Sequence, residues 1–361
     1  MLEPPDLSRV GMLFLAAVAL LGGSPHAHAD GTLDPNFGIG GIATVDFMAG
    51  NDDAYGLAVQ PDGKIIVVGF ADPPLPNDAY DSAVARLLPN GALDGTFASG
   101  GKTTFTIGPE SHEIAVSVAV DTSGRIVLAV YALKGTDDFI VVRLLGDGSL
   151  DPGFGTKGVA VLPLPGLDAA FKVVALPDGS VLALGGHIPS TDCIVAKLTP
   201  AGTLDTSFGT DGRAFVDFGM TGSACSCMAV DAQGRVVLAR GNFGGQDVVL
   251  TRLTASGLLD ATFGTAGVVI SDLGGIETVR AVVVHPNDSI VVGGTRMADG
   301  DEDFLFARYL AGGGLDPSFG TGGWTRIDFG GTGRLDRLVD AVVQPDGKVL
   351  GVGSSSVRGG Y

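Results

Sequence analysis

Short apolar runs alternate with turns rich in glycine, proline and aspartate along most of the chain. One pair of runs is Leu57–Val59 and Ile65–Val68, which flank the turn Pro61-Asp62-Gly63. Apolar runs bounded by turn residues indicate buried strands. A three-residue hairpin loop needs a left-handed conformation at its last residue, which glycine adopts without strain. The pattern therefore predicts a chain of β-hairpins.

The same kind of turn occurs six times, and Asp288 replaces the glycine in one copy. Aspartate is among the residues that tolerate the left-handed conformation, so we expect a hairpin there as well. The six turns are Pro61-Asp62-Gly63, Thr122-Ser123-Gly124, Pro177-Asp178-Gly179, Ala232-Gln233-Gly234, Pro286-Asn287-Asp288 and Pro345-Asp346-Gly347.

A second motif, Gly-x-Leu-Asp-x-x-Phe, sets the length of the repeat. It occurs six times, and its aspartates are separated by 60, 57, 54, 55 and 56 residues. A period of this length built only of strands is typical of a β-propeller blade. We therefore expect an all-β fold, a six-repeat (six-bladed) β-propeller of ~56-residue repeats over residues 30–361. Each repeat's phenylalanine is predicted to fill the core between blades, and these are Phe37, Phe97, Phe154, Phe208, Phe263 and Phe319.

In five repeats a basic residue stands five positions after one aspartate, eight positions before the motif aspartate and five positions before a loop-ending glycine. The column of preceding aspartates consists of Asp81, Asp138, Asp192, Asp247 and Asp303. Counting outward from that loop places Arg86 opposite Asp94 on a short hairpin, within reach of an ion pair. We interpret the pairs as structural clamps, because a feature repeated from blade to blade normally holds the blades together. The predicted pairs are Arg86 with Asp94, Arg143 with Asp151, Lys197 with Asp205, Arg252 with Asp260, and Arg308 with Asp316.

The last repeat lacks the strand that carries the basic residue. In earlier repeats this residue follows the turn by at least 18 positions, and Gly347 is only 14 positions before Tyr361. We therefore expect the last blade to lack one strand and Asp34 to lack a basic partner. Truncation and a three-stranded blade are the favoured explanations, and completion of an open edge by another chain is the alternative.

The combined pattern Asp-x4-Arg-Leu, Gly-x-Leu-Asp-x-x-Phe-Gly-x-x-Gly and Pro-Asp-Gly-Lys resembles the delta-60 repeat family of bacterial proteins. The resemblance runs from Gly31 to about Gly353. It implies a β-propeller on exported or surface-exposed bacterial proteins, and it brings no catalytic residues with it.

The first 29 residues have the pattern of a signal peptide. Arg9 precedes the apolar run Met12–Leu21, and Ala27-His28-Ala29 offers small residues to a signal peptidase. The acidic Glu3 and Asp6 are unusual in such a segment, and translation from Met12 is an alternative. The run is too short to span a bilayer. We therefore expect an exported bacterial protein, periplasmic, extracellular or on the cell surface, without a transmembrane segment.

Charge narrows the choice of partner. The chain has 22 basic and 40 acidic residues and a formal net charge of −18, so it would repel nucleic acid and anionic membranes. Three cysteines cannot form a complete disulfide framework within one chain. Cys225 falls in an otherwise aliphatic column, which predicts a small core residue rather than a metal ligand.

No catalytic motif stands out, and the catalytic residues stay unknown. His112, His187 and His285 occupy different columns of the repeat, so symmetry does not bring them together. The acidic groups Asp52-Asp53, Asp137-Asp138 and Asp301-Glu302-Asp303 offer the oxygen ligands that calcium prefers, but not with the spacing of a dedicated calcium loop. We therefore expect no metal or other cofactor, with calcium as the alternative.

These observations favour a non-catalytic, monomeric binding or scaffold module that holds a protein or glycan through loops at one end of the ring. A hydrolase or lyase with its site at the mouth of the propeller channel is the alternative, and an inert structural module is a third interpretation. A broad exposed apolar patch would favour binding, whereas a concave cluster of non-repeated polar residues would favour catalysis.

Overall fold

The computed structural model describes residues 33–47, 50–72, 80–108, 112–132, 139–162, 167–188, 193–218, 227–241, 247–298, 300–330, 333–344 and 346–357. The predicted signal peptide lies outside these ranges, as do Cys225, Asp137, Asp138 and Asp192. The regular elements of the described residues are β-strands, as the sequence predicts.

Four sheets have four antiparallel strands each, in chain order. The first sheet contains β1 (Asp52–Val59), β2 (Ile65–Ala71), β3 (Asp81–Leu87) and β4 (Lys102–Phe105). The second contains β5 (Glu113–Val120), β6 (Ile126–Ala132), β7 (Phe139–Leu144) and β8 (Val159–Leu162). The third contains β9 (Leu167–Ala175), β10 (Val181–Ile188), β11 (Cys193–Leu198) and β12 (Arg213–Val216). The fourth contains β13 (Cys227–Val230), β14 (Val236–Gly241), β15 (Val248–Leu253) and β16 (Val268–Ser271).

The fifth sheet is larger, with six strands. Its first four are β17 (Ile276–Val284), β18 (Ile290–Ala298), β19 (Asp301–Tyr309) and β20 (Trp324–Ile327). The last two, β21 (Arg334–Val343) and β22 (Val349–Val357), form an antiparallel hairpin. This hairpin joins the sheet through one parallel pairing, between Glu302 of β19 and Leu335 of β21.

The prediction of six blades is therefore wrong, because the propeller has five. The sixth repeat supplies only the β21–β22 hairpin, and an isolated two-stranded hairpin has too little packed surface to be stable alone. It attaches to the fifth sheet instead of building a sixth. The first copy of the Leu-Asp motif contributes an isolated bridge between Ile39 and Ile42 rather than a strand of a further sheet.

Consecutive sheets stack face to face, and the core lies between them. Val118 and Val120 of β5 pack toward the first sheet, whereas Val116 and Ala119 of the same strand pack toward the third. Both faces of β7 are covered by neighbouring sheets, so the strand is buried at every position. Five of its six residues are apolar for this reason. The stacking explains the high hydropathy of the chain without a membrane.

The two ends of each sheet differ. In the first sheet Asp52, Ala71 and Asp81 lie side by side at one end, and the connection to the next sheet leaves from there. This end is called the loop end. Val59 and Ile65 pair at the opposite end, beside the three-residue turns. That end is called the turn end.

Candidate functional site

The structure brings together all five predicted ion pairs at the turn end. The arginine Nε lies 2.8 Å from the aspartate Oδ2 in four pairs, and Lys197 Nζ lies 3.0 Å from Asp205 Oδ2. Arg86, Arg143 and Arg252 are buried, whereas Lys197 is more exposed. The four arginine pairs are Arg86–Asp94, Arg143–Asp151, Arg252–Asp260 and Arg308–Asp316.

The aspartates of these pairs are also held by their own turns. Asp260 Oδ1 accepts hydrogen bonds from the amide and the hydroxyl of Thr262, at 3.0 and 2.6 Å. The Thr262 hydroxyl, its amide and the Arg252 guanidinium together lower the pKa of the Asp260 carboxyl, against the opposing effect of burial. Asp34 keeps the turn bond, from the Asn36 amide at 2.9 Å, although it has no basic partner in the repeat pattern.

The clamps also connect neighbouring repeats. Arg86 Nη1 donates to the carbonyl of Gly146 at 2.5 Å, and Arg252 Nη1 donates to that of Ala311 at 2.6 Å. Both carbonyls belong to the turn of the following repeat. The guanidinium of Arg252 also lies 4.5 Å from the ring centre of Phe263, a cation–π distance.

Four of the six motif phenylalanines, Phe97, Phe154, Phe208 and Phe263, are buried as the sequence predicts, whereas Phe37 and Phe319 in the first and last copies are half-buried. Phe97 and Phe154 have no exposed surface. A Cβ on Gly148, in the turn of the next repeat, would lie 2.8 Å from the Phe97 ring, and Gly148 also has a φ of +89°. Glycine is therefore required there both by the close approach of the ring and by the backbone. These contacts give the repeated residues of the turn end a structural role.

Acidic residues from three separate strands meet at the loop end, where one sheet passes to the next. The first stands near the start of a third strand, for example Asp303, and the second follows a fourth strand, for example Asp328. The third lies near the start of the next sheet's first strand, for example Asp336. Sequence reasoning identified only the first column. The third column could also be read from the sequence, because it stands two positions before the mostly aliphatic column that contains Cys225. Its members are Asp52, Glu113, Asp168, Ser223, Glu277 and Asp336.

At the junction between the first and second sheets, hydrogen bonds satisfy the equivalent side chains. Thr106 occupies the position of Asp328, and its hydroxyl donates to Asp81 Oδ1 at 2.8 Å. The buried Glu113 accepts the amides of Ile107 and Gly108, at 2.7 and 2.9 Å, one on each carboxylate oxygen. This junction therefore needs no further ligand.

The last junction, between the fifth sheet and the hairpin, is different. One carboxylate oxygen from each of Asp303, Asp328 and Asp336 lies within 4.8 Å of the others. Asp336 is fully buried; its Oδ2 accepts the Phe329 amide at 3.0 Å, and its Oδ1 has no hydrogen-bond partner among the described residues. Arg326 supplies the nearby positive charge, with its Nη1 2.9 Å from Asp303 Oδ2.

The preceding junction also holds a buried acid. Glu277 is 1% exposed, and within the described chain neither of its carboxylate oxygens has a hydrogen-bond partner. Burial, reinforced by the charges of Asp272 and Asp247, raises the pKa of Glu277 to about 7, and the charge of Arg296 and the nearby Gly275 amide partly oppose this.

The stack of sheets exposes apolar side chains at both of its ends. Val339, Val342, Leu350 and Val352 are 36–46% exposed on the outer side of the hairpin, the C-terminal end face. Leu57 and Val59 are 48% and 38% exposed on β1, on the side called the N-terminal end face.

The two end faces correspond to the two sides of an internal junction. In the repeat, Leu57 and Val59 are equivalent to Val118 and Val120, which pack on the preceding sheet. Val339 and Val342 are equivalent to Val116 and Ala119, which pack on the following sheet. Each end of the stack therefore carries one half of the interface that the chain forms internally.

His112 and His285, the mature-chain histidines whose side chains the structure describes, contact different partners. The His112 Nδ1 accepts the Tyr80 amide at 3.3 Å, and His285 contacts Asn287 in its own turn. The side chain of His187 lies outside the described residues. A surface hollow of about 300 Å³ between the third and fourth sheets contains Asp231, which is paired with Arg235 at 2.5 Å.

Cys193 is fully buried and forms a disulfide bond, although the cysteine count pointed away from a disulfide framework.

No helix within the described ranges is long and apolar enough to cross a membrane.

Comparison with known proteins supports a β-propeller repeat family. Residues 60–97, 122–154, 176–208 and 285–319 match a family model described as a domain of unknown function (DUF5122) β-propeller. The narrower delta-60 name stays a prediction. A comparison with curated proteins finds no match.

Solved structures with a similar fold include enzymes as well as proteins without a stated activity. A virginiamycin B lyase from Staphylococcus aureus has a TM-score of 0.46 and 11% identity, over 85% of this chain and 86% of that one. A protein from Lactobacillus plantarum has a TM-score of 0.45 and 13% identity, over 86% of each chain. A polysaccharide lyase, an ulvan lyase, has a TM-score of 0.42 and 12% identity, over 83% of this chain and 78% of that one. At this level of similarity none of these activities transfers to the present chain.

Proposed function

We propose that the chain is an exported, non-catalytic scaffold module that binds protein through the exposed end faces of its stacked sheets. The C-terminal end face carries the proposal, because four aliphatic side chains are exposed together on one side of the β21–β22 hairpin. Contiguous apolar patches on soluble proteins commonly mark interaction surfaces.

The chemistry of the end faces favours a protein over a glycan. Val339, Val342, Leu350 and Val352 offer no hydrogen-bonding side chain, and Leu57 and Val59 of the opposite face are aliphatic as well. Aliphatic side chains gain about 25 cal/mol per Å² when another apolar surface removes them from water. A second apolar sheet face is the partner that fits this surface.

A second copy of the chain provides such a face. At an internal junction, one sheet packs its following side against the preceding side of the next sheet. The C-terminal end face is equivalent to a following side, and the N-terminal end face of a second copy is equivalent to a preceding side. A contact between these two unlike faces is heterologous, so it joins copies head to tail. We therefore propose concentration-dependent self-association in place of the monomer that the sequence suggested.

Single lysine substitutions on either face are expected to abolish self-association. Leu57→Lys places a charge on the N-terminal end face and Val342→Lys on the C-terminal one, and both side chains are exposed in the monomer. Each variant should be monomeric alone by light scattering coupled to size-exclusion chromatography. Because each keeps one intact face, an equimolar mixture of the two should form heterodimers.

Phe215→Lys is the matched control, because Phe215 is a large exposed apolar residue of β12 that belongs to neither end face. It should assemble like the wild type. A wild-type protein that stays monomeric up to its solubility limit would overturn the proposal, as would a variant mixture without heterodimers.

Export predicts a defined mature N-terminus and an oxidised Cys193. Disulfides persist in oxidising compartments and are rare in the cytosol, and the Cys193 disulfide agrees with this. Protein recovered from a secreting bacterial host should begin at Asp30, and Cys193 should react with iodoacetamide only after reduction. Mass spectrometry measures both properties. A chain that still begins at Met1 or Met12, or a Cys193 that is alkylated without reductant, would contradict export.

A further inference from the structure

We propose that Asp303, Asp328 and Asp336 bind a calcium ion at the loop end, where the β21–β22 hairpin meets the fifth sheet. Their three ligand oxygens lie within 4.8 Å of one another. Calcium binds oxygen at about 2.3–2.6 Å, so two oxygens on the same ion lie at most about 5 Å apart. The spacing therefore fits a single ion held by all three carboxylates.

The buried oxygen of Asp336 is the second observation that points to a ligand. The Asp336 side chain is fully buried, and its Oδ1 has no partner among the described residues. A buried carboxylate oxygen without a partner is costly, since it has lost its water and gained nothing in exchange. A cation coordinated by Oδ1 would supply the missing interaction.

The charge of the group also calls for a cation. Three carboxylates face one arginine, Arg326, whose guanidinium is bound to Asp303 and is largely exposed. The group of four side chains therefore has a formal charge of −2, and a divalent cation would neutralise it. Carboxylates gathered in a buried site repel one another unless a proton or a cation offsets their charge.

A comparison within the chain separates this group from an ordinary acidic cluster. At the first junction the residue equivalent to Asp328 is Thr106, whose hydroxyl satisfies Asp81, and the amides of Ile107 and Gly108 satisfy Glu113. The last junction has a carboxylate in place of that hydroxyl and only one amide on Asp336. It lacks the hydrogen bonds that make the first junction complete among the described residues.

Calcium suits this site better than magnesium does. Asp328 is exposed, so water can complete the six to eight oxygen ligands that calcium takes, about half of which this site leaves open. Magnesium demands a near-octahedral shell at about 2.0–2.1 Å and gives up its water reluctantly. Three carboxylates from three separate strands form a looser site than magnesium prefers.

A calcium titration with an Asp328→Asn variant tests the proposal. Asp328 is the exposed ligand, so the substitution removes one ligand charge without disturbing the buried pair. After removal of metal with EDTA and then of EDTA by dialysis, CaCl2 up to about 10 mM should raise the melting temperature of the wild type by several degrees. Isothermal titration should show at least tenfold weaker calcium binding in Asp328→Asn.

Asp346→Asn is the matched control, because it removes the same charge from an exposed turn-end aspartate that pairs with Lys348. It should keep the full response to calcium. A wild type that does not respond would overturn the site, and so would an equal response in Asp328→Asn. An equal rise with MgCl2 would overturn the assignment to calcium in favour of general charge neutralisation.

Discussion

Arg252→Ala is expected to lower the free energy of unfolding by about 3–5 kcal/mol. The buried guanidinium pairs with Asp260 at 2.8 Å and donates to the Ala311 carbonyl of the next repeat at 2.6 Å. Its removal leaves the Asp260 carboxylate buried without its counterion and breaks a bond between repeats. It also removes the cation over the ring of Phe263. Urea denaturation followed by circular dichroism measures the loss.

Lys197→Ala provides the matched control, because Lys197 occupies the same column with its side chain 19% exposed and Asp205 23% exposed. Water can solvate Asp205 after the substitution, so a loss below about 1 kcal/mol is expected. The double variant Arg252→Met, Asp260→Leu should recover much of the stability lost in Arg252→Ala, since both buried charges are gone. Equal losses at the two positions would contradict a clamp that acts through burial.

The clamps could be found in the sequence because hairpin geometry fixes them. The glycine that ends each loop sets the register, and the register alone places Arg86 opposite Asp94 and Arg308 opposite Asp316. The sequence did not reveal the further bond from Arg86 to the Gly146 carbonyl. That bond joins two repeats, and its geometry depends on how the sheets stack.

The number of blades could not be read from the number of repeats. A repeat predicts a blade only if it supplies every strand, and the sixth supplies β21 and β22 alone. The expectation of a sixth blade that lacks one strand was wrong, because the two strands of the sixth repeat belong to the fifth sheet. The hairpin has too little packed surface to form a blade of its own, so it joins the fifth sheet through the pairing of Leu335 with Glu302.

The acidic groups of the loop end were only partly visible in the sequence. Asp303 appeared as a member of a repeated column and as one of three consecutive acidic residues. Asp328 and Asp336 stand 25 and 33 positions further on, and single-sequence patterns do not show that residues so far apart converge. The column that contains Glu113, Glu277 and Asp336 was readable, and all three side chains are buried, but the hydrogen bonds that they accept differ. Both oxygens of Glu113 accept hydrogen bonds, whereas the described residues place no hydrogen-bond partner on either oxygen of Glu277.

Glu277→Gln is expected to stabilise the protein at alkaline pH and to have little effect at pH 4. Burial first, and then the charges of Asp272 and Asp247, raise the pKa of Glu277 from 4.5 to about 7 in the folded state. The folded state therefore holds this proton more tightly than the unfolded chain does, and stability falls as the pH rises from about 4.5 to 7. A shift of this size corresponds to up to about 3 kcal/mol above pH 7, at about 1.4 kcal/mol per pH unit.

Glutamine removes that loss because it stays neutral at every pH, and its amide can donate to the neighbouring carboxylates. Unfolding curves measured in EDTA from pH 4 to pH 8.5 should therefore diverge for wild type and variant, with the variant more stable at the alkaline end. Glu113→Gln is the control from the same column, and it should destabilise the protein because one carboxylate acceptor of a buried amide becomes a donor. Parallel curves for wild type and Glu277→Gln would show that this carboxyl is not held protonated by its surroundings. If Glu277→Gln raises the free energy of unfolding and Glu113→Gln lowers it, the same repeated position accepts two amide hydrogen bonds in one junction and carries a buried acid with a raised pKa in another.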